Sequence, residues 1–179
     1  MKKAILLLLC AAMLVSIFGC TADKPVIVQP VEFYYRTANA SYDGSASVIG
    51  FEERESVGFD GNMPLLLNAY FRGPTAEELV SPFPKNLKAV SYSIVGSTVL
   101  LELSNELALL SGIDLTIACA CVTGTILSIE ETAERVQISV SGSYLNGSDA
   151  ISMDKGNILF LDPIDLPTEP EETEPKSTQ

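Results

Sequence analysis

Hydrophobic positions along this chain change their spacing several times, and each change predicts an element. The first block is continuous: residues 4–18 are apolar except for Ser16, behind Met1, Lys2 and Lys3. The sequence "VEFYYRT" (31–37) is β-branched and aromatic and predicts a strand, and "VIGFEERESV" (48–57) predicts a second, less regular one. Asn62 and Pro64 cap and open a predicted helix whose Leu66, Leu67, Tyr70 and Phe71 share a face, and Gly73-Pro74 ends it. Residues 87–95 and 98–103 are two strands around a Gly96-Ser97 turn, with Val99, Leu101 and Leu103 on one side. No charge falls between Leu115 and Ile129, which predicts a helix buried nearly all round. Ser111 and Asp114 stand ahead of it as a capping box. Residues 134–142 form a strand with Val136, Ile138 and Val140 on one face, and 151–161 read as a hairpin turning at 154–157.

The order βα, ββ, α, β predicts an α+β fold: a mixed, mostly antiparallel sheet with two helices packed on one face, plus a C-terminal hairpin. Pro25 and Pro30 make residues 20–30 an extended tether. Residues 31–161 form the domain. From 162 to 179 Pro, Glu and Thr dominate, so a disordered acidic tail is expected.

The opening block is shorter than the roughly 20 apolar residues of a spanning helix and has the cationic start of a secretory signal. It closes on Ile17-Phe18-Gly19-Cys20, which resembles a bacterial lipobox. Residues 1–19 are therefore expected to leave as a lipoprotein signal peptide. Cys20 then becomes the N-terminus and carries a diacylglyceryl group on its sulfur, which anchors the chain on the extracytoplasmic face of the cell membrane.

The leader holds Lys2 and Lys3 and no acid, so its loss takes the net charge from −12 to −14. That balance argues against nucleic acid or an anionic lipid surface as a partner, because both attract basic patches. The chain has no His, which removes His-dependent triads and His-based metal sites. Cys119 and Cys121, two apart on a helix, point about 200° apart, so they cannot easily bond each other and are expected as buried apolar residues.

Other chemistry is sparse. Ser152-Met153-Asp154-Lys155 has the S-x-x-K spacing of penicillin-binding enzymes, but it spans a predicted turn instead of a helix start. Glu52, Glu53 and Glu55 alternate along a strand and are expected as a solvated acidic edge. Asp43-Gly44 lacks the rest of a calcium loop. No cofactor, metal or catalytic group is expected. The uncharged helix offers an interaction surface. If Leu115, Ala118, Val122 and Leu127 face the sheet, then Ala120, Thr123 and Gly124 leave a flat flank for a partner or a second protomer. The competing expectation is that the whole helix is core.

Several of these segments together resemble the GerMN domain of sporulation and germination proteins. They are the helix ending in Arg72-Gly73-Pro74, Phe83-Pro84 leading into Leu87-Lys88-Ala89-Val90, "TVLLELS" at 98–104, and residues 117–127 leading to "ERVQISVSG". Glu102 stands where that family favours Asp, Gly124 where it favours Asn, and Arg54-Glu55-Ser56-Val57 is what remains of an "R-x-V" element. The resemblance implies a fold similar to the ring-building motifs of secretion machines, without catalysis. It also implies an assembly or scaffold role in the envelope of a spore-forming bacterium, through an envelope or sporulation-complex protein or through self-association. The alternative is a lipoprotein that binds peptidoglycan or another glycan, for which Tyr34, Tyr42, Tyr92 and Tyr144 are the available aromatics.

Overall fold

The computed structural model describes residues 30–43, 45–55, 61–141, 144–145 and 147–158. The expected signal peptide, Cys20, nearly all of the tether, the second arm of the C-terminal hairpin and the acidic tail lie outside these residues.

The strands are β1 (Pro30–Thr37), β2 (Ile49–Glu55), β3 (Leu79–Val80), β4 (Ala89–Val95), β5 (Thr98–Leu103), β6 (Arg135–Val140) and β7 (Ala150–Asp154). The helices are α1 (Met63–Tyr70) and α2 (Gly112–Ile129), with short 3₁₀ turns at Asn105–Leu109 and Lys155–Asn157. The α+β class holds, with strands mixed and mostly antiparallel, but they divide into two sheets. One is β2-β1-β3, all antiparallel, and the other is β4-β5-β6-β7, in which only β5 and β6 run parallel. The parallel pair needs a long crossover, and α2 supplies it.

In the four-stranded sheet the register sets Val99 beside Val136, Leu101 beside Ile138, and Leu103 beside Val140. All six are buried, and their neighbours Leu100, Gln137 and Arg135 are exposed, so alternation along each strand separates an inner face from a wet outer one. α2 packs against β6 and β7 on one side and β1 on the other. That placement is why a helix from Leu115 to Leu127 can go without charge: twelve of its residues are buried.

β1 pairs with β2 from Pro30 to Arg36, but on its other side β3 reaches only Arg36 and Thr37. The rest of that edge is closed by side chains. Thr125 Oγ1 accepts from the Tyr34 amide at 2.9 Å, Ser128 Oγ donates to the Glu32 carbonyl at 3.3 Å, and Tyr70 Oη donates to the Tyr34 carbonyl. Hydroxyls on α2 and α1 thus stand in for a missing strand. Tyr35 Oη in turn donates to the Tyr70 carbonyl at 2.9 Å, which also accepts from the Gly73 amide at 3.1 Å at the end of α1.

Two local expectations change. Asn62 does cap α1 through its side chain, but Ser111 makes no side-chain cap bond to α2, so the capping box with Asp114 does not form. Asp114 instead lies 3.9 Å from Arg36. β3 breaks what reads as a loop: two residues suffice because they need only fill the last rung beside β1. A turn falls at Lys155–Asn157, inside the expected 154–157, with Asp154 Oδ1 accepting from the Asn157 amide at 3.1 Å; the arm that would make it a hairpin lies outside the described residues.

Thr125→Val keeps the side-chain shape and leaves the buried Tyr34 amide without an acceptor. Unfolding by denaturant is expected to show a loss of roughly 1–3 kcal/mol; a loss below about 0.5 kcal/mol would mean that α2 does not close this edge.

Candidate functional site

The flank proposed for interaction from the sequence is inside the protein. Ala120 is 2% exposed and Thr123 0%. A Cβ at Gly124 would come within 3.1 Å of Tyr34 Cγ, so the bare Gly124 backbone is what allows that ring to lie against α2. The correction has a plain cause. An uncharged helix is covered on every side or exposed to a partner, and the sequence does not say which; here β1 covers the side that the four-stranded sheet leaves open. Cys119 and Cys121 are buried and unbonded, as expected. Burial pushes the Cys119 thiol up to about 12 and raises that of Cys121 as well, so neither is a ready nucleophile.

Sequence reasoning also misplaced Glu52. It is no part of a solvated edge: its side chain is 10% exposed and faces the turn after α1. Glu52 accepts from the amides of Thr75 (3.0 Å) and Ala76 (2.9 Å), from the Thr75 hydroxyl (2.9 Å) and from Arg54. Arg54 Nη2 also donates to the Gly73 carbonyl at 2.7 Å, and the guanidinium lies 5.1 Å from the Phe33 ring centre and 5.9 Å from that of Tyr35. Glu52 and Arg54 share a face of β2, and together they take up the amides and the carbonyl of the Gly73–Ala76 turn. Burial opposes ionisation of Glu52, but the bonds from Ala76, Thr75 and Arg54 outweigh it and hold the carboxyl below its ordinary range. The signal available in the sequence was the i, i+2 spacing of one acid and one base on a strand.

Around this turn Tyr35, Tyr70, Phe71 and Phe83 stack with ring centres 4.9 to 6.3 Å apart. Phe83-Pro84 projects between two open grooves. The larger, about 530 Å³, is lined by Asn68, Phe71, Arg72, Phe83, Lys85 and Leu87. The smaller, about 210 Å³, has Arg36 and Asp114 at its rim, and Asp114 is its only acid. Neither groove sets a nucleophile beside a base. Among the described residues no group of three or more Cys, Asp or Glu side chains could hold a metal ion.

The remaining candidates are scattered. Tyr34 and Tyr92 are half-buried, their hydroxyls donating to Glu32 (2.7 Å) and Glu130 (2.8 Å). Tyr42 and Tyr144 are exposed, and neither makes a ring contact with another described aromatic. The four tyrosines do not converge on a groove. Asp43 accepts from Ser41 and from the Ser45 amide at 2.9 Å, and its carboxyl is held down to about 2 within its own turn. Ser152 lies in β7 and Lys155 in the turn beyond it, with no helix under them.

The architecture defines a small α+β domain with its helices and polar bonds spent on closing two sheets together. The chain belongs to the Germane family, described as sporulation and spore germination, whose model matches residues 32–146. It is a GerMN-domain protein. Among solved structures it is similar to the first GerMN domain of the sporulation protein GerM from Bacillus subtilis, with 17% identity, covering 70% of this chain and 96% of that one at a TM-score of 0.55. It is similar also to the tandem GerMN domains of the same protein, with 19% identity, 75% of this chain and a TM-score of 0.50. The match spans 48% of the tandem chain, about half its length. A Clostridium perfringens protein described as a lipoprotein is 17% identical over 76% of this chain and 93% of that one, at a TM-score of 0.46 that carries no argument. No curated protein matches.

Two substitutions test the assignments above. Thr123→Lys puts a charge into the core and is expected to cost at least about 4 kcal/mol of stability; a folded variant of ordinary stability would return this flank to the surface. Glu52 carries a lowered folded-state pKa, so its contribution is complete above the ordinary value of 4.5 and is lost as pH falls through the lowered value. The melting temperature of Glu52→Gln is therefore expected to lie below that of the parent at pH 7, with the gap closing as pH falls below that range. A gap independent of pH would remove the ionised carboxylate from the account.

Proposed function

We propose that this chain is a lipid-anchored, extracytoplasmic and non-enzymatic assembly module of the cell envelope, acting in sporulation or germination. The observation that carries the reading is membership of a sporulation and germination family across most of the domain. Two features support it. The absence of His and of any convergent acid–base pair among the described residues leaves surfaces, not a reaction centre, as the means of action. The segment ending at Ile17-Phe18-Gly19-Cys20 supplies both an export signal and a thiol for lipid attachment. A diacyl anchor holds the acidic domain at a membrane without any basic patch. α2 is long and apolar enough to cross a bilayer by composition, yet 67% of it is buried in the fold, as a core helix is.

Cys20→Ala tests the anchor and the address together. Cells fed a clickable fatty acid are expected to label the parent and not the variant, and the variant is expected to retain its leader. Label that persists in Cys20→Ala would overturn lipid attachment at this residue. Recovery of the parent from membranes only of sporulating cells, together with another envelope protein, would support the assembly role; recovery on purified cell-wall sacculi would replace it with glycan binding.

A further inference from the structure

β4 ends the four-stranded sheet, and its far side meets no described strand. The two-residue turn at Gly96-Ser97 fixes which backbone groups point outward. Val95 and Thr98 flank the turn and bond each other, so Val95, Ser93 and Ser91 turn toward β5. The amides and carbonyls of Tyr92 and Ile94 therefore face away and have no partner among the described residues. Asn68 takes only the Ala89 amide, at 3.0 Å.

Exposed edges are usually blunted by charge, proline or cover. The free edge of the other sheet follows that rule: β2 carries Glu53 and Glu55 exposed. β4 reads Ala-Val-Ser-Tyr-Ser-Ile-Val, with no charge and no proline in a chain of net charge −12. Val90, Ile94 and Val95 are 51%, 45% and 63% exposed along it. α1 packs against β4, where Asn68 meets Ala89, and a bulge lies near Val90.

The charges lie at its two ends and have opposite sign. Lys88 precedes the strand with Glu106 near it, and Arg72 and Lys85 line one groove with Leu87, so bases outnumber acids at that end. At the other end Glu130 accepts from Tyr92 Oη, and Glu134 accepts from Ser97 Oγ at 3.1 Å, with Glu131 between them in sequence. Arg135, also there, lies 3.6 Å from Asp154, and Glu102, one strand in, is held by Ser91 and Ser141. A strand with a basic end, a neutral middle and an acidic end complements itself when reversed.

We infer that β4 pairs antiparallel with β4 of a second copy of this chain, joining two four-stranded sheets into one of eight strands. Outward groups on one copy meet outward groups on the other, so the two outer faces lie on the same side. A two-fold axis produces this antiparallel arrangement and sets Lys88 of each copy toward the acidic end of its mate. Parallel pairing would set like charges together. The inference rests on the assembly reading and names one of its contacts.

Ser93 tests it. Its side chain is exposed on the outer face and its backbone bonds are made to β5, so a charge there leaves the fold in place. The full chain, extracted in mild detergent, is expected to sediment as a dimer. Ser93→Lys and Ser93→Glu alone are each expected to raise the dissociation constant by about tenfold or more, and an equimolar mixture to restore it, because like charges become opposite across the axis. Ile94→Pro, which removes an outward amide and adds no charge, is expected to dissociate the dimer as well. A parent that stays monomeric at every concentration, or a dimer unmoved by both Ser93 variants, would overturn the inference. A monomer that still recovers an envelope protein from membranes would overturn this contact and leave the assembly reading standing.

Discussion

The structure depends on one strand edge that no strand closes. β1 has a full partner on one side and a two-residue partner on the other, yet it runs through the middle of the protein. The carbonyls and amide on that side are partly buried, and each bond left unmade would cost up to roughly 1–3 kcal/mol. Thr125, Ser128 and Tyr70 make those bonds, so two helices must approach β1 at fixed positions along its length. Once α2 is held there its opposite side meets β6 and β7, and the second sheet is placed by the first.

That constraint explains the composition of α2. A helix on the surface of a sheet shows one apolar stripe and one polar face. One lying between a sheet face and a strand edge has no polar face to spare, and two of its hydroxyls, on Thr125 and Ser128, serve the edge. Gly124 belongs to the same fit, since any side chain there would press on Tyr34. The Glu52–Arg54 pair does for the turn after α1 what α2 does for β1: it gives buried backbone groups partners that no regular element reaches.

Much of this was legible in the residues. β-branched and aromatic residues gave β1, and alternation gave β5 and β6, each to within a residue or two; β5 and β6 alternate because each has one buried and one more open face. The span of α2 followed from its lack of charge, and the end of α1 from Gly73-Pro74, with Gly73 at a φ of +106°. What the pattern could not carry was pairing between distant elements. One sheet or two depends on where β1 sits relative to β5, and no local spacing encodes that. Whether Thr123 and Gly124 face a partner or β1 depends on the same fact. Glu52 looked like one of three acids on a strand, and only the approach of a turn some twenty residues away separates it from Glu53 and Glu55. The sites went unread for the reason the fold succeeds: its polar groups bond across long sequence separations.

The division of labour among polar groups bears on how such a domain can act. The hydroxyls of Thr125, Ser128 and Tyr70 are spread along one edge, each with a backbone partner. The thiols are buried and held protonated, and the best-placed carboxylate is committed to a turn. The same bonds distinguish a core helix from a membrane-spanning one. Moving α2 into a bilayer would strip β1 of the bonds from Thr125 and Ser128, expose the inner face of the four-stranded sheet, and leave buried backbone groups unpaired in both places. An apolar helix of this length is therefore kept inside the domain by its two hydroxyls as much as by its hydrophobic surface, and attachment to a membrane has to come from elsewhere in the chain.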